Sequence, residues 1–384
     1  MRYKLKEIFD LQMGKTPSRN NTGYWNTNDY KWISIADLTK TGKYISETKE
    51  YLSESAIGDS GIKVIPANTV VMSFKLSIGK TAITAEDMYS NEAIMAFRDK
   101  HVVELLPEYI YYMFKYKNWD EGSNKAVMGK TLNKATLSEV EIEICSIMKQ
   151  RKIVNVLDEM SLVLEKRENE LWALDNLVKA RFVEMFGDPV SNPYGYDKVA
   201  LSDLADIKIG PFGSLLHKED YIEGGHPLLN PSHIMDGKIS PDDKLTISDE
   251  KYEELSAYQL KTGDVVMGRR GEMGRCAVVS EEGFLCGTGS ILIRTKGEVT
   301  ADYIQKIISF PSFKKTIEDM AVGQTMPNLN VPIVASFQII KPPMEVQDSY
   351  YAFVEQVDKS KVAVQKALTE TQLLFDSLMQ QYFG

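Results

Sequence analysis

The sequence is a tandem duplication, and this repeat constrains the fold more than any other feature. Leu5–Gly14 aligns without a gap with Leu201–Gly210, at an offset of about 196 residues. Six further short matches follow in the same order and at nearly the same offset: Val70-Val71-Met72 with Val265-Val266-Met267, Gly79-Lys80 with Gly274-Arg275, Phe97-Arg98 with Ile293-Arg294, Tyr109-Ile110 with Tyr303-Ile304, Gly129 to Thr131 with Gly323 to Thr325, and Phe186-Gly187 with Phe383-Gly384. Chance does not easily supply so many matches in one register, so the chain must fold as two similar halves.

Each half begins with about 140 residues in which short β-like runs alternate with Gly, Pro and Asn turns. Asn68–Phe74 and Ser290–Arg294 are two of these β-like runs. Tyr109–Tyr116 and Tyr303–Ile308 favour helices. This mixture predicts a globular α+β domain in each half.

Each half ends in a long helix with the apolar spacing of a coiled-coil seam. Gln150–Phe186 contains no Pro or Gly, and Asp348–Phe383 repeats the pattern. The predicted interface residues of the two seams are Ile153, Leu157, Met160, Leu164, Leu171, Leu174 and Val178, and then Val354, Val357, Val364, Leu368, Phe375 and Leu378. About 35 helical residues make a rod on the order of 50 Å long.

These observations predict an α+β protein with two tandem globular domains related by a pseudo-twofold axis and separated by two long helices. Such an axis requires the helices to run antiparallel, and we expect them to pack as a coiled coil. The predicted boundaries are residues 1–145 for the first globular domain, 146–190 for the first spacer helix, 191–343 for the second domain and 344–384 for the second helix.

The net charge of −9 and a pI close to 5.2 argue against a nucleic-acid-binding protein unless basic residues cluster locally. They do cluster, in a glycine-containing loop that follows the matched Val-Val-Met strand of each half. The candidate DNA contacts in this loop are Lys75 and Lys80 in the first half and Arg269, Arg270 and Arg275 in the second. Lysine and arginine can contact phosphates there, and arginine can also bind a guanine edge.

Two more matched loops carry amide, hydroxyl and basic side chains suited to DNA. The loop after the first strand offers Lys15, Thr16 and Arg19, and its copy offers Ser214. The loop before each long helix offers Lys130, Thr131 and Asn133, and then Gln324, Thr325 and Asn328. Asn and Gln can donate to and accept from adenine together.

Several classes of function are disfavoured. The three cysteines form no CxxC pair, and the four histidines do not combine with them at zinc-like spacing, so we expect no metal. The Gly-Lys-Thr triplets at Gly14, Gly79 and Gly129 lack the earlier glycine of a phosphate-binding loop. No signal peptide or membrane-spanning run is recognisable, which predicts a cytoplasmic protein.

The order of these segments resembles the specificity subunits of type I restriction–modification systems. The resemblance covers essentially the whole chain and rests on the Val-Val-Met strand with its basic loop, on Gln324–Asn330, and on Phe182–Pro189 closing the first helix. One departure is that Gly129–Asn133 is shorter than its counterpart and lacks the Pro-Asn pair.

The resemblance implies two target-recognition domains, each reading one half of a bipartite asymmetric site in double-stranded DNA. It implies that the helices dock two methyltransferase subunits, which restriction and translocation subunits join. It further implies that this chain has no catalytic residue and no cofactor, and that the partner methyltransferase uses S-adenosylmethionine. A stand-alone DNA-binding regulator and a coiled-coil adaptor that binds no DNA remain as alternatives.

Overall fold

The structure, a computed structural model, describes residues 1–25, 27–75, 77–119, 132–323 and 328–384. These residues form two compact units. Unit 1 comprises Met1–Glu170 and Val364–Gly384, and unit 2 comprises Leu171–Ala363. Each unit therefore contains one globular domain together with part of both long helices.

Unit 1 alternates short strands and helices before the first long helix. Its elements are β1 (Arg2–Lys4), α1 (Leu5–Ile8), β2 (Phe9–Met13), β3 (Tyr30–Ile33), α2 (Ile35–Lys40), β4 (Tyr44–Ile45), β5 (Glu50–Leu52), α3 (Glu54–Ser60), β6 (Val70–Ser73), β7 (Thr81–Thr84), β8 (Tyr89–Ser90), β9 (Ile94–Asp99), α4 (Pro107–Tyr116), α5 (Lys134–Ser138), β10 (Glu141–Glu143) and α6 (Ile147–Phe186), of which α6 continues into unit 2.

The main sheet of unit 1 has the strand order β2-β9-β6-β7-β4, and its first four strands pair antiparallel. Strand β6 is buried on both faces, which explains its uninterrupted Val-Val-Met run. Val70 and Met72 belong to one core cluster and Val71 to another. Helix α4 covers the first of these faces, and its Phe114 ring lies 4.7 Å from the ring of Phe97.

Unit 2 repeats this plan with more short strands. Its elements are β11 (Asp197–Ala200), α7 (Leu201–Leu204), β12 (Ala205–Ile209), β13 (Tyr221–Ile222), β14 (His226–Leu229), β15 (Ile234–Met235), β16 (Lys238–Ile239), β17 (Thr246–Ile247), α8 (Asp249–Glu254), β18 (Val265–Gly268), β19 (Cys276–Val278), β20 (Leu285–Cys286), β21 (Ser290–Thr295), α9 (Ala301–Ile308), α10 (Pro311–Met320), α11 (Val331–Ala335), β22 (Gln338–Lys341) and α12 (Met344–Phe383), of which α12 continues into unit 1.

The sheet order β12-β21-β18-β19 reproduces β2-β9-β6-β7 strand for strand. The second Val-Val-Met run is also divided between two cores, with Val265 and Met267 in one cluster and Val266 in the other. The strands and helices expected around Val70, Ser290, Tyr109 and Tyr303 are confirmed as β6, β21, α4 and α9. The duplication read from the sequence is therefore a duplication of fold, and the α+β class is confirmed.

The two long helices pack antiparallel within each unit. In unit 1, Ile153 and Leu157 of α6 share a core with Phe375 and Met379 of α12. In unit 2 the Phe186 ring lies 5.3 Å from that of Tyr350. Further along unit 2, the Lys361 ammonium lies 2.7 Å from the Asp175 carboxylate.

The predicted seam residues all lie on the covered side of these helices. Ile153, Leu157, Val178, Val357 and Val364 are buried. The others are half-buried, namely Met160, Leu164, Leu171, Leu174, Val354, Leu368, Phe375 and Leu378. Apolar residues outside the seam are exposed instead, and these include Leu162, Trp172, Leu177, Val362 and Leu373.

In both units a glycine at the end of the first sheet strand lies very close to a backbone carbonyl group. A Cβ atom at Gly14 would lie 2.2 Å from the Asn91 carbonyl oxygen, and one at Gly210 would lie 2.1 Å from that of Gly287. Alanine at either position should lower the stability of its unit by about 1–3 kcal/mol, because backbone on both sides has to move apart. Urea unfolding followed by circular dichroism measures the change.

Gly58→Ala is the matched control, since a Cβ atom there meets nothing within 4 Å. An unchanged unfolding midpoint for both Gly14→Ala and Gly210→Ala would contradict the close approach.

Candidate nucleic-acid interface

The predicted DNA-binding loops of unit 1 emerge from one end of its main sheet. Because Met95 pairs with both Met13 and Met72, the ends of β2 and β6 lie beside the start of β9. The segments 14–19, 74–75, 77–80 and 91–93 therefore meet at this end, which we call loop edge 1. The register of unit 2 is equivalent, since Ile291 pairs with both Ile209 and Met267. Segments 210–217, 269–275 and 286–289 form loop edge 2.

A carboxylate lies among the basic groups of loop edge 1. The hydroxyl of Thr16 donates a hydrogen bond to Glu92, which is exposed. This hydrogen bond holds the pKa of Glu92 below its usual value, and the nearby charges of Lys75 and Arg19 act in the same direction. Lys75, which the sequence placed on a different loop from Thr16 and Arg19, is thus electrostatically linked to that loop through Glu92.

Arg19 is held in a fixed orientation. Its guanidinium pairs with the Glu50 carboxylate through both terminal nitrogens, one of them at 3.1 Å. It also lies 3.7 Å from the centroid of the Trp25 ring and 5.0 Å from that of Trp32. Stacking and ion pairing together leave this planar group little rotational freedom.

The lysines of loop edge 1 are directed differently from one another. The Lys80 ammonium donates to the Thr39 hydroxyl in α2 at 2.7 Å, and that of Lys15 donates to the Ser60 carbonyl. The Lys75 ammonium lies 5.4 Å from the centroid of the Phe74 ring. Lys75 and Lys80 are close in sequence, but their ammonium groups contact different parts of the protein.

Loop edge 2 presents a linked Arg–Asn pair. The Arg269 Nε donates to the Asn328 Oδ1 at 3.0 Å, and the Arg269 carbonyl accepts from the Leu329 amide at 2.9 Å. Partial burial lowers the pKa of the Arg269 guanidinium, as does the adjacent charge of Arg270. Arg270 is exposed and forms an isolated β-bridge with Asn328. The structure therefore brings together three of the predicted residues of the second half.

Arg275 points into the protein surface rather than away from it. Its guanidinium donates to the Pro231 carbonyl at 3.1 Å and to the Glu272 carboxylate at 2.9 Å. Lys314 also pairs with Glu272, at 3.0 Å. Ser214, by contrast, is exposed in a short 3₁₀ segment, Gly213–Leu215, next to the exposed ring of Phe212.

Asn133 caps a helix. Its side-chain oxygen accepts from the Thr136 amide at 2.9 Å at the start of α5, and the matching Asn330 caps α11 through the Ile333 amide at 3.0 Å. The repeated asparagine therefore has a structural role in both halves. Four other predicted contacts lie outside the described residues, namely Lys130, Thr131, Gln324 and Thr325.

Sequence reasoning missed the acidic and aromatic partners of these loops. A pattern of basic and amide residues points to DNA contacts, and Glu92, Glu50 and Trp25 do not belong to such a pattern. The repeat alignment already contained a signal for Glu92, since it precedes Ile94 by two positions as Thr288 precedes Ser290. Gly14 and Gly210 donate to the carbonyls of Ile94 and Ser290, respectively, which confirms this correspondence.

Other kinds of site find no support among the described residues. Within them, no group of His, Cys, Asp and Glu side chains is arranged to hold a metal ion. In that same part of the chain, no helix is long and apolar enough to cross a bilayer.

The cysteines should differ sharply in reactivity. Burial raises the pKa of the Cys276 thiol to about 11 and that of Cys286 to about 12, whereas Cys145 is half-buried. Because the thiolate is the reactive form, only Cys145 should react promptly with a disulfide reagent at neutral pH in the native protein. Counting the released chromophore before and after adding denaturant checks this.

Cys145→Ser is the control and should abolish the prompt reaction. Prompt modification of Cys276 or Cys286 in that variant would show that these residues are not enclosed.

The family model for the type I restriction modification DNA specificity domain matches residues 1–171 and 193–372. The MjaIX type I restriction enzyme specificity subunit of Methanocaldococcus jannaschii is 25% identical, over 98% of this chain and 90% of its own length.

Solved structures share the fold over the whole chain. The S subunit of a type I restriction–modification system from M. genitalium superposes with a TM-score of 0.54 at 15% identity, covering 100% of this chain and 96% of its own. A chain from a structure describing complex assembly and conformational transition of the type I R-M system gives a TM-score of 0.69 at 16% identity, covering 100% and 97%.

Proposed function

This chain belongs to the family of type I restriction–modification DNA specificity domains, and on that basis we propose that it selects the DNA sequence on which a type I complex acts. The observation that carries the proposal is the duplicated loop edge. In both units the same three strand ends present cationic and hydrogen-bonding side chains. The buried main sheet of each unit fixes the positions of these strand ends. Two similar but non-identical reading surfaces suit a bipartite asymmetric site, with one half read by each unit.

The negative net charge of the chain is compatible with DNA binding, because basic residues cluster on the loop edges. On these edges Lys75 is half-buried and Arg270 is exposed. Cations in such positions attract the phosphate backbone whatever the net charge of the chain, because salt screens charges more than about 10 Å away. Arg275 and Lys80, whose side chains bind protein groups, contribute mainly by shaping their loops.

We assign the chemistry of the complex to partner subunits. In this proposal the chain has no catalytic residue, and two methyltransferase subunits that use S-adenosylmethionine dock on it, joined by restriction and translocation subunits. The exposed apolar residues of the long helices, including Trp172 and Val362, support a docking role because water disfavours such side chains. The complex would act in the cytoplasm, where the chromosome is accessible.

Replacing Arg270 should affect one half-site only. Arg270→Ala removes an exposed guanidinium from loop edge 2, and the loss should be about 1–3 kcal/mol of discrimination if the group binds a base edge. Genome-wide mapping of N6-methyladenine, in a host that expresses the chain with its methyltransferase partner, gives the motif. We expect a two-part motif with a fixed gap, of which one half becomes degenerate in the variant.

Lys296→Ala is the matched control, because Lys296 follows β21 at the opposite end of the same sheet. Equal damage to both half-sites by Arg270→Ala would contradict the assignment of one half-site to each unit. Sequence-specific binding by the chain without partners would favour the stand-alone regulator. Absence of DNA binding in the complete complex would favour the adaptor.

Salt should weaken DNA binding steeply. Neutralised phosphates release counterions, so the logarithm of the association constant should fall linearly with that of the salt concentration. Lys75→Ala should reduce the slope by about one unit and weaken binding to all sequences similarly, since a phosphate contact carries no base information. Fluorescence anisotropy of labelled duplexes at several salt concentrations measures both effects, and a salt-independent affinity would contradict them.

A further inference from the structure

Glu92 is an exposed carboxylate near the cations Lys75 and Arg19 of loop edge 1, a surface proposed to bind a polyanion. Its loop is fixed by the backbone hydrogen bond from Lys15 to the Ser90 carbonyl at 2.8 Å and by the amide of Ala93, which donates to the Asn91 side chain at 3.0 Å. The Thr16 hydroxyl then orients the carboxylate itself. The negative charge is thus held in a defined position.

Such a charge is costly against DNA. Two like charges 4 Å apart repel by about 1 kcal/mol in water and by about 4 kcal/mol at the effective dielectric of a protein surface. Lys75 and Arg19 lie close enough to offset part of this repulsion, but the Arg19 guanidinium is already paired with Glu50. A carboxylate facing phosphates would only weaken binding.

The fold does not require this carboxylate. At the equivalent position of unit 2 stands Thr288, whose hydroxyl donates to the Pro211 carbonyl at 2.8 Å. Both loops precede equivalent strands and sit beneath equivalent glycines, Gly14 and Gly210. Since the loop forms with threonine in one unit, Glu92 in the other is a difference in surface chemistry and not a condition of folding.

The ligand that suits Glu92 follows from its hydrogen-bonding capacity. Its lowered pKa, caused first by the Thr16 hydrogen bond, keeps it ionised at neutral pH, and an ionised carboxylate only accepts hydrogen bonds. In the major groove guanine and thymine present only hydrogen-bond acceptors, so they cannot donate a hydrogen bond to such a carboxylate. Adenine presents the N7 acceptor beside its N6 donor, whereas cytosine presents only the N4 amino donor.

Resting on the proposed function, we propose that Glu92 is a specificity-determining residue of unit 1 that accepts a hydrogen bond from the N4 amino group of a cytosine in the DNA major groove. Thr16 is its positioning residue, because it fixes the carboxylate without facing the base. Unit 2, with Thr288 at the equivalent position and an Arg–Asn pair nearby, reads its half-site without this carboxylate.

The first experiment uses Glu92→Thr, which installs the residue that unit 2 already accommodates. The full chain is expressed with its methyltransferase partner, and the N6-methyladenine motif is mapped. One C·G base pair in one half of the motif should become degenerate, and the other half should stay intact. Glu86→Thr is the matched control, as Glu86 is also exposed but pairs with Lys31 at 2.6 Å, away from loop edge 1.

The second experiment tests direct contact. Duplexes carry the mapped site either unmodified or with 2-pyrimidinone, which lacks the N4 amino group, replacing the cytosine at the affected position. The wild-type complex should bind the modified duplex roughly ten- to a hundredfold more weakly. The Glu92→Thr complex should bind both duplexes equally well. The Thr16→Val complex should lose an intermediate amount of affinity for the modified duplex. In this variant the Glu92 carboxylate is still present but is no longer oriented by the Thr16 hydroxyl.

Three outcomes would overturn the inference: an unchanged motif for Glu92→Thr, degeneracy at an A·T pair, or equal sensitivity of wild type and variant to 2-pyrimidinone. A Glu86→Thr variant that relaxes the motif in the same way would also overturn it, since charge alone would then explain the effect. If the wild-type complex shows no sequence selectivity at all, the proposed function itself fails, which the wild-type measurement reveals separately.

Discussion

The backbone ladder joining β2, β9 and β6, and its copy joining β12, β21 and β18, is the interaction on which the rest of this molecule depends. Antiparallel pairing places the last residues of two strands beside the first residue of the strand between them. Loops far apart in sequence are thereby brought to one sheet end. Apolar residues cover both faces of the central strand, so its register cannot slip without exposing them. The loops add only a few side chains to the core, Phe74 and Met273 among them. Their exposed side chains can vary while the positions of the loops stay fixed.

The two units show what this freedom permits. Loop edge 1 carries a carboxylate, a stacked guanidinium and tryptophan rings, whereas loop edge 2 carries adjacent arginines linked to an asparagine. The backbone geometry beneath them is nearly the same, down to the glycine that crosses close to a carbonyl oxygen in each unit. A duplicated fold with different surface groups is suited to reading two different short sequences. An asymmetric target is the natural counterpart of such a protein.

The long helices are subject to a different constraint. Their seams bury one stripe of apolar residues within each unit. Lys361 interrupts this stripe between the seam residues Val357 and Val364, and its charge is paired with Asp175. Because an interrupted seam has fewer equivalent registers than a continuous apolar one, such breaks help to fix the alignment of the pair. The remaining apolar residues, with Trp172 69% exposed, are not needed by either unit's core.

The sequence by itself determined the duplication, the α+β class, the long helices and the loops that follow the matched strands, because these depend on periodicity and on matched positions along one chain. It determined the apolar seam for the same reason, since a helical spacing specifies one face. What only the tertiary structure decided is the direction of each side chain at the loop edges. Lys75 and Lys80 are near neighbours in sequence but have separate contacts, Arg275 is bound to the Pro231 carbonyl, and Asn133 caps a helix. The hydrogen bond that Thr16 donates to Glu92, 76 positions later, is likewise formed only by the fold. Such hydrogen bonds join residues across strands, and their geometry depends on turns whose conformations the local sequence does not specify.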